Sequence, residues 1–295
     1  MKKPKLITFF AAILGYAIFS CTNEIMEMDE TITEVINAKH IEFVGIEHNM
    51  MLDETYEFLK TQSRKKSYMN KSSKSKKEDL EDFLISRIKA NRKYSDRSNE
   101  IGIENIKHVF KEKQTFSKFS TNSKKTSNSL SDKEKEYLNF LNEILEKIDF
   151  AQDNNIEESI SNLEKDIESE DGLSDEQLIT LFSATQTAKY SYIYWKENWK
   201  KWSDLNSDNS TISLKQLALM NKANSEDDGH NGCICEDAKD IVKADVGGAV
   251  GGAAGAWIVN VVPGAGQVAY GGAILGGAVA GSVGVAVVKF LDWVW

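Results

Sequence analysis

The residue types best suited to chemistry are His230, Cys233 and Cys235, spaced H-x-x-C-x-C and followed by Glu236 and Asp237. Thiolates and an imidazole are zinc ligands by type. The chain has no second ligand pair at matching spacing, so the trio is a weak metal candidate and no metal is expected. Oxidised or intermolecular cysteines and inert thiols are the competing readings. A Cys233–Cys235 disulfide would close a very small, strained ring. His48-Asn49 pairs an imidazole with an amide. On a helix it reads first as a structural hydrogen-bonding pair. No G-x-S-x-G or H-E-x-x-H occurs, and no glycine-rich phosphate loop follows a strand. Carboxylates are dense between Ser131 and Glu176, but they alternate with helix positions expected to be exposed. No enzyme and no cofactor is expected.

The remaining candidate for chemistry is Cys21. Lys2, Lys3 and Lys5 precede the apolar run Leu6 to Phe19, and Ser20-Cys21 follows. A basic region, about fourteen apolar residues and a small residue before the cut describe an export signal, too short to span a bilayer. The Ile18-Phe19-Ser20-Cys21 end resembles the lipobox of bacterial lipoproteins, with Phe19 in place of the usual small residue. That resemblance implies cleavage before Cys21 and acyl chains on it, and hence stable membrane anchoring when more than one chain is attached. The expected location is the bacterial cell envelope, at the outer membrane. The oxidising compartment it implies also favours oxidised cysteines over metal at Cys233 and Cys235. Glu24, Glu27, Asp29 and Glu30 after the cysteine loosely resemble export tags of surface lipoproteins in the Bacteroidota.

The end of the chain has a different composition. Val246 to Val288 contains no charged residue and holds thirteen of the nineteen glycines. Gly247, Gly251 and Gly255 recur every fourth position, as do Gly248 and Gly252, then Gly272 and Gly276, and Gly277 and Gly281. Such spacing bares one helix face for close backbone packing. Interior glycines each cost a water-exposed helix about 1 kcal/mol, so a lipid or a tight partner is expected to enforce the helix. Pro263-Gly264 breaks the run into arms of ~26 Å and ~35 Å, near the ~30 Å hydrocarbon core. Trp293 and Trp295 beside Lys289 suit headgroup depth. The expectation is a glycine-zipper helical hairpin. The alternative is the same hairpin buried in a groove of the chain's own helices.

The rest of the chain has to position these elements. Near-absence of proline and long Glu/Lys/Leu/Ile stretches point to a mainly α fold: a helical bundle domain, flexible linkers and the hairpin. A first helix is expected over roughly Thr31 to Gln62, with a flexible Lys/Ser linker over Ser63 to Lys77. Further helices are expected near Glu78 to Lys93 and Asn99 to Lys113, with a second linker over Ser117 to Ser129. Ser131/Glu134 and Ser174/Gln177 have capping-box spacing. They open stripes at Tyr137, Leu138, Leu141, Ile144, Leu145 and Ile148, and along a long helix of about Asp175 to Asp204. Ile156, Ile160, Leu163 and Ile167 form a helix between them, stopped near Gly172. Leu178, Leu181, Ala188, Tyr192, Trp195, Trp199 and Trp202 follow a heptad seam. Tyr190 and Tyr194 lie off it and are the candidates for a ligand surface. The expected organisation is therefore 1–20 signal, 21–130 basic helical region, 131–204 acidic helical bundle, 205–235 linker with Cys-x-Cys, and 236–295 apolar hairpin.

Charge is segregated. Lys60 to Lys125 carries nineteen bases against eight acids, and Ser131 to Glu176 carries sixteen acids against four bases. The blocks either neutralise one another or present the basic one to anionic lipid or lipopolysaccharide. Nucleic acid is not an expected partner. Gly45-Ile46-Glu47-His48-Asn49, Tyr194-Trp195-Lys196-Glu197-Asn198 and the glycine-rich tail together resemble uncharacterised lipoproteins of the Bacteroidota, a likeness that brings no activity with it. The expected function is a lipid-anchored envelope protein whose hairpin associates with membrane lipid or forms a homo-oligomer, in a structural or adhesive role. A bacteriocin-like membrane-inserting effector and a carbohydrate-binding lipoprotein are the alternatives.

Overall fold

The chain folds into helices α1 (Ala38–Ser63), α2 (Lys66–Met69), α3 (Ser73–Ala90), α4 (Asp96–Lys111), α5 (Asp132–Glu146), α6 (Ile156–Ser169), α7 (Asp175–Ser203) and α8 (Ile234–Ile258). A further helical segment covers 274–279. This computed structural model describes residues 36–94, 96–111, 130–150, 155–203, 205, 234–258 and 274–279, and no strand occurs among them. The mainly α expectation holds. The signal segment, Cys21, His230, Cys233, Gly272, Gly281, Trp293 and Trp295 lie outside the described residues.

Side-chain caps open α1, α3, α5 and α7. Ser131 Oγ accepts from the Glu134 amide at 3.2 Å, and the Glu134 carboxylate accepts from the Ser131 amide at 2.7 Å, so α5 opens on the expected capping box. Ser174 and Gln177 make the same reciprocal pair at the start of α7. Asn37 and His40 form one at the start of α1 that carries no capping-box signature in the sequence, because His replaces the usual Glu or Gln. Between α6 and α7, Gly172 takes a φ of +89°, a left-handed conformation glycine adopts without a Cβ penalty.

The expected flexible linker over Ser63 to Lys77 is corrected. It holds α2 and the first turn of α3. Ser72 caps α3 by accepting from the Ser75 amide at 3.2 Å. Tyr68 is buried, and Lys76 lies buried against it with its ammonium 5.6 Å from the ring centroid. A cap-forming serine and a stem-burying lysine look like linker composition when read one at a time.

Helix α7 is the axis of the fold. Its largest interfaces are with α8 and α1, and smaller ones are with α6 and α5. A single seam was expected, yet every residue from Leu178 to Ala188 is buried. A helix with neighbours on all sides has no solvent face, so its periodicity carries little information. Packing also crosses the expected boundaries at 130 and 204: α8 meets α4, α5 and α7, and all described residues belong to one unit beginning at Ile36. The apolar positions of α8, among them Val246, Ala249, Val250 and Ala253, join Ile274, Leu275, Ala278 and Val279 in the same core as Trp195 and Trp202.

Candidate functional site

The site is the crossing of α1, α7 and α8, where a fully buried polar cluster stands at the head of the uncharged segment. His48 on α1, Ser191 on α7 and Asp245 on α8 each have no exposed surface. His48 Nε2 lies 3.4 Å from Asp245 Oδ2. Ser191 Oγ donates to the same carboxylate oxygen. On its other side, His48 Nδ1 is 3.0 Å from Asn49 Oδ1. Asn49 directs its amide N–H to the Tyr190 carbonyl at 3.0 Å, which assigns its oxygen to the histidine. The ring thus faces an acceptor on each side, and the imidazolium form donates to both.

The order is Asn–His–Asp–Ser, with the serine bonded to the carboxylate and not to the imidazole. A nucleophilic triad needs the base against the hydroxyl. Complete burial also denies a substrate access, so the arrangement holds helices together. Asp245 is the last charged residue before the run to Val288. Two residues back on α8, the Lys243 ammonium pairs with Glu146 of α5, and Lys239 Nζ, one turn before it, lies 3.9 Å from the same carboxylate. The charged half of α8 is therefore tied to α1, α5 and α7, and its glycine-rich half continues from that fixed point.

Close backbone contact governs the glycine-rich half. A Cβ on Gly248 would run into the Gly277 carbonyl, and one on Gly277 into that of Gly248, with the Gly252 amide nitrogen 3.2 Å away. A Cβ on Gly276 would strike the backbone of Gly102 in α4. Around Gly247 and Gly251, in contrast, nothing lies within 4 Å of an added Cβ. The contacts among described residues thus use Gly248, Gly276 and Gly277, and Gly102, an isolated glycine outside any four-residue repeat. Gly255 falls within α8.

The aromatic part of α7 is interior. Trp195 and Trp202 are fully buried, with ring centroids 5.3 Å apart. Tyr194 was expected on an open surface. That is corrected: it is 4% exposed, accepts from Trp202 Nε1 at 3.0 Å and donates to Asp53 at 3.2 Å. Burial pushes its phenol up. Position off one seam does not imply exposure when α1 covers that side. Tyr190 is half-buried, its hydroxyl bonded to Glu42 of α1 and its ring filling the space where a side chain on Gly45 would stand. Its phenol is pushed up to about 12, first by burial and then by Glu42. The patches Gly45–Asn49 and Tyr194–Asn198 therefore belong to the two helices that pack on one another. Sequence reasoning singled out His48-Asn49 but missed Ser191 and Asp245, since no local pattern links residues so far apart in the chain.

Among the described residues no group of His, Cys, Asp and Glu is arranged to hold a metal ion, and no helix is long and apolar enough to cross a membrane. Cys235 lies in the first turn of α8. Comparison with family models, curated proteins and solved structures finds no match for the chain.

Proposed function

We propose that the protein is an exported, lipid-anchored component of the bacterial cell envelope, structural or adhesive in role. Its glycine-rich apolar segment, of which the helical body buries Val246, Ala249, Val250, Ala253 and residues 274–279, associates with a lipid surface or with a second copy. The observation that carries this reading is the abrupt change at Asp245: a buried, three-helix polar anchor is followed by 43 residues without a charge. A soluble scaffold has little use for thirteen glycines in one such run, whereas close helix pairing in lipid or in an oligomer does. The lipobox-like Cys21 supports an envelope location, and its acyl chains would keep the segment near a bilayer. A second reading, a membrane-inserting effector, is favoured by the burial of the described part of the segment in the helical core, from which an effector would release it.

The test uses the full chain with dye-loaded phosphatidylcholine vesicles. Binding without dye release is expected. Dye release would replace the anchoring role with the effector. Failure to bind, to release dye or to self-associate in sedimentation would overturn both. Fatty-acid probe labelling of the wild type and not of Cys21→Ala is the expected check on the anchor.

A further inference from the structure

The corner formed by the end of α1, α2 and the start of α3 is the most basic part of the chain. Arg64, Lys65, Lys66, Lys71, Lys74, Lys76 and Lys77 fall within fourteen residues that contain no acid. The remainder of the chain has twenty-nine bases against forty-five acids, so the densest positive charge sits here on a chain whose remainder is net negative.

The corner is ordered. Tyr68 and Lys76 are its buried floor, and Arg64, Lys65, Lys66, Lys71 and Lys74 are exposed. Lys71 reaches Asp79 at 2.6 Å, and Lys74 stands 3.9 Å from Glu78. Arg64, Lys65, Lys66 and Lys77 face no carboxylate among the described residues. Met69 lies between them in the chain and is 37% exposed. The first turn of α3 holds lysines and no acid, so these charges repel one another and the helix end, a cost that a facing anionic layer removes. Exposed cations flanking an exposed thioether in one short ordered stretch are the side-chain chemistry of a surface that lies on anionic headgroups with one apolar contact.

We infer that this corner, Arg64 to Lys77, is an electrostatic docking surface for an anionic lipid bilayer, orienting the body on the membrane. The inference rests on the reading that the protein works at a lipid surface, but it uses a different part of the molecule from the glycine-rich segment.

The experiment measures co-sedimentation of the full chain, carrying Cys21→Ala so that acyl chains do not dominate, with phosphatidylcholine vesicles with and without phosphatidylglycerol. A corner variant changes Arg64, Lys65, Lys66, Lys71 and Lys74 to Gln. A control variant changes Lys89, Arg92, Arg97, Lys107 and Lys111, which are exposed, to Gln. Circular dichroism checks that both remain helical. The corner variant is expected to lose about tenfold or more of its partition onto anionic vesicles, with the control close to wild type and the wild-type advantage shrinking as salt is raised. Equal loss in both variants would reduce the effect to net charge and overturn the proposal. Unchanged binding of the corner variant would also overturn it, and would leave the glycine-rich segment as the membrane contact. Tighter, corner-dependent binding to polyphosphate or duplex DNA than to anionic vesicles would assign the surface to a soluble polyanion instead. Binding to neither vesicle type would overturn the proposal and the lipid-surface role, leaving self-association as the one role of the glycine-rich segment still standing.

Discussion

His48 Nε2 and Asp245 Oδ2 lie 3.4 Å apart with both side chains fully buried, joining α1 to α8 across almost two hundred residues of chain. Desolvating such a pair is costly, and its attraction offsets the cost only while both members are present.

Removing one member is therefore expected to harm more than removing both. His48→Leu leaves the Asp245 carboxylate with Ser191 but without the imidazole, and should destabilise the protein by about 3 kcal/mol or more. His48→Leu with Asp245→Leu should recover part of that loss. Urea denaturation of the two single variants and the double variant closes the cycle, and additive losses would mean the pair is not coupled.

The glycines divide by what faces them. Gly248→Ala, Gly276→Ala and Gly277→Ala put a methyl into facing backbone and should each destabilise by about 1–3 kcal/mol. Gly247→Ala and Gly251→Ala meet open space, and should be neutral or stabilising by up to about 1 kcal/mol because alanine is the better helix former. Denaturation midpoints of the five variants decide this; a uniform effect would show that the glycine–glycine contacts do not hold the segment.

Glu164 on α6 is buried and accepts from Gln186 Nε2 at 2.7 Å. Burial is the main cause that raises its carboxyl above the usual 4.5, against the opposing pull of Thr185, Lys189 and Gln186. A raised acid favours the protonated form in the fold. Its contribution is fully present below the unfolded value and is lost as pH rises through the folded one. Glu164→Gln keeps an acceptor for Gln186 and removes the ionisation. Its stability should fall less than that of the wild type as pH rises above 4.5, read as the difference in urea midpoints; parallel curves would refute the assignment.

Residues 131–204 alone are expected to unfold without cooperativity. They contain α5, α6 and α7 but lack α1 and α8, which make the largest interfaces of α7. Trp202 would then lose Tyr56 of α1, and Tyr194 its bond to Asp53, leaving the aromatic end of α7 without its cover. Thermal circular dichroism of the fragment beside the full chain checks this, and a sharp transition in the fragment would show that the bundle stands without its flanking helices.

The sequence by itself determined the features whose causes lie within a few residues. Capping boxes placed α5 and α7, four-residue apolar steps placed α6, and Gly172 marked the turn after it. The helical class followed from scarce proline and long stretches of helix-forming residues. The uncharged, glycine-rich run and the basic block were visible as composition. Tertiary structure decided what each of these meets. Ser72 and Lys76 turned apparent linker into α2 and α3 because Tyr68 supplied a surface for the lysine stem. Tyr194 went inside because α1 lies on a face of α7 that its own periodicity left open. Gly248 and Gly251 stand in two parallel rows of glycines at every fourth position, alike as a pattern, yet a partner backbone approaches only Gly248. His48, Ser191 and Asp245 became one cluster because three helices cross there. Contacts between residues far apart in the chain depend on which faces pack, and no local spacing encodes that choice.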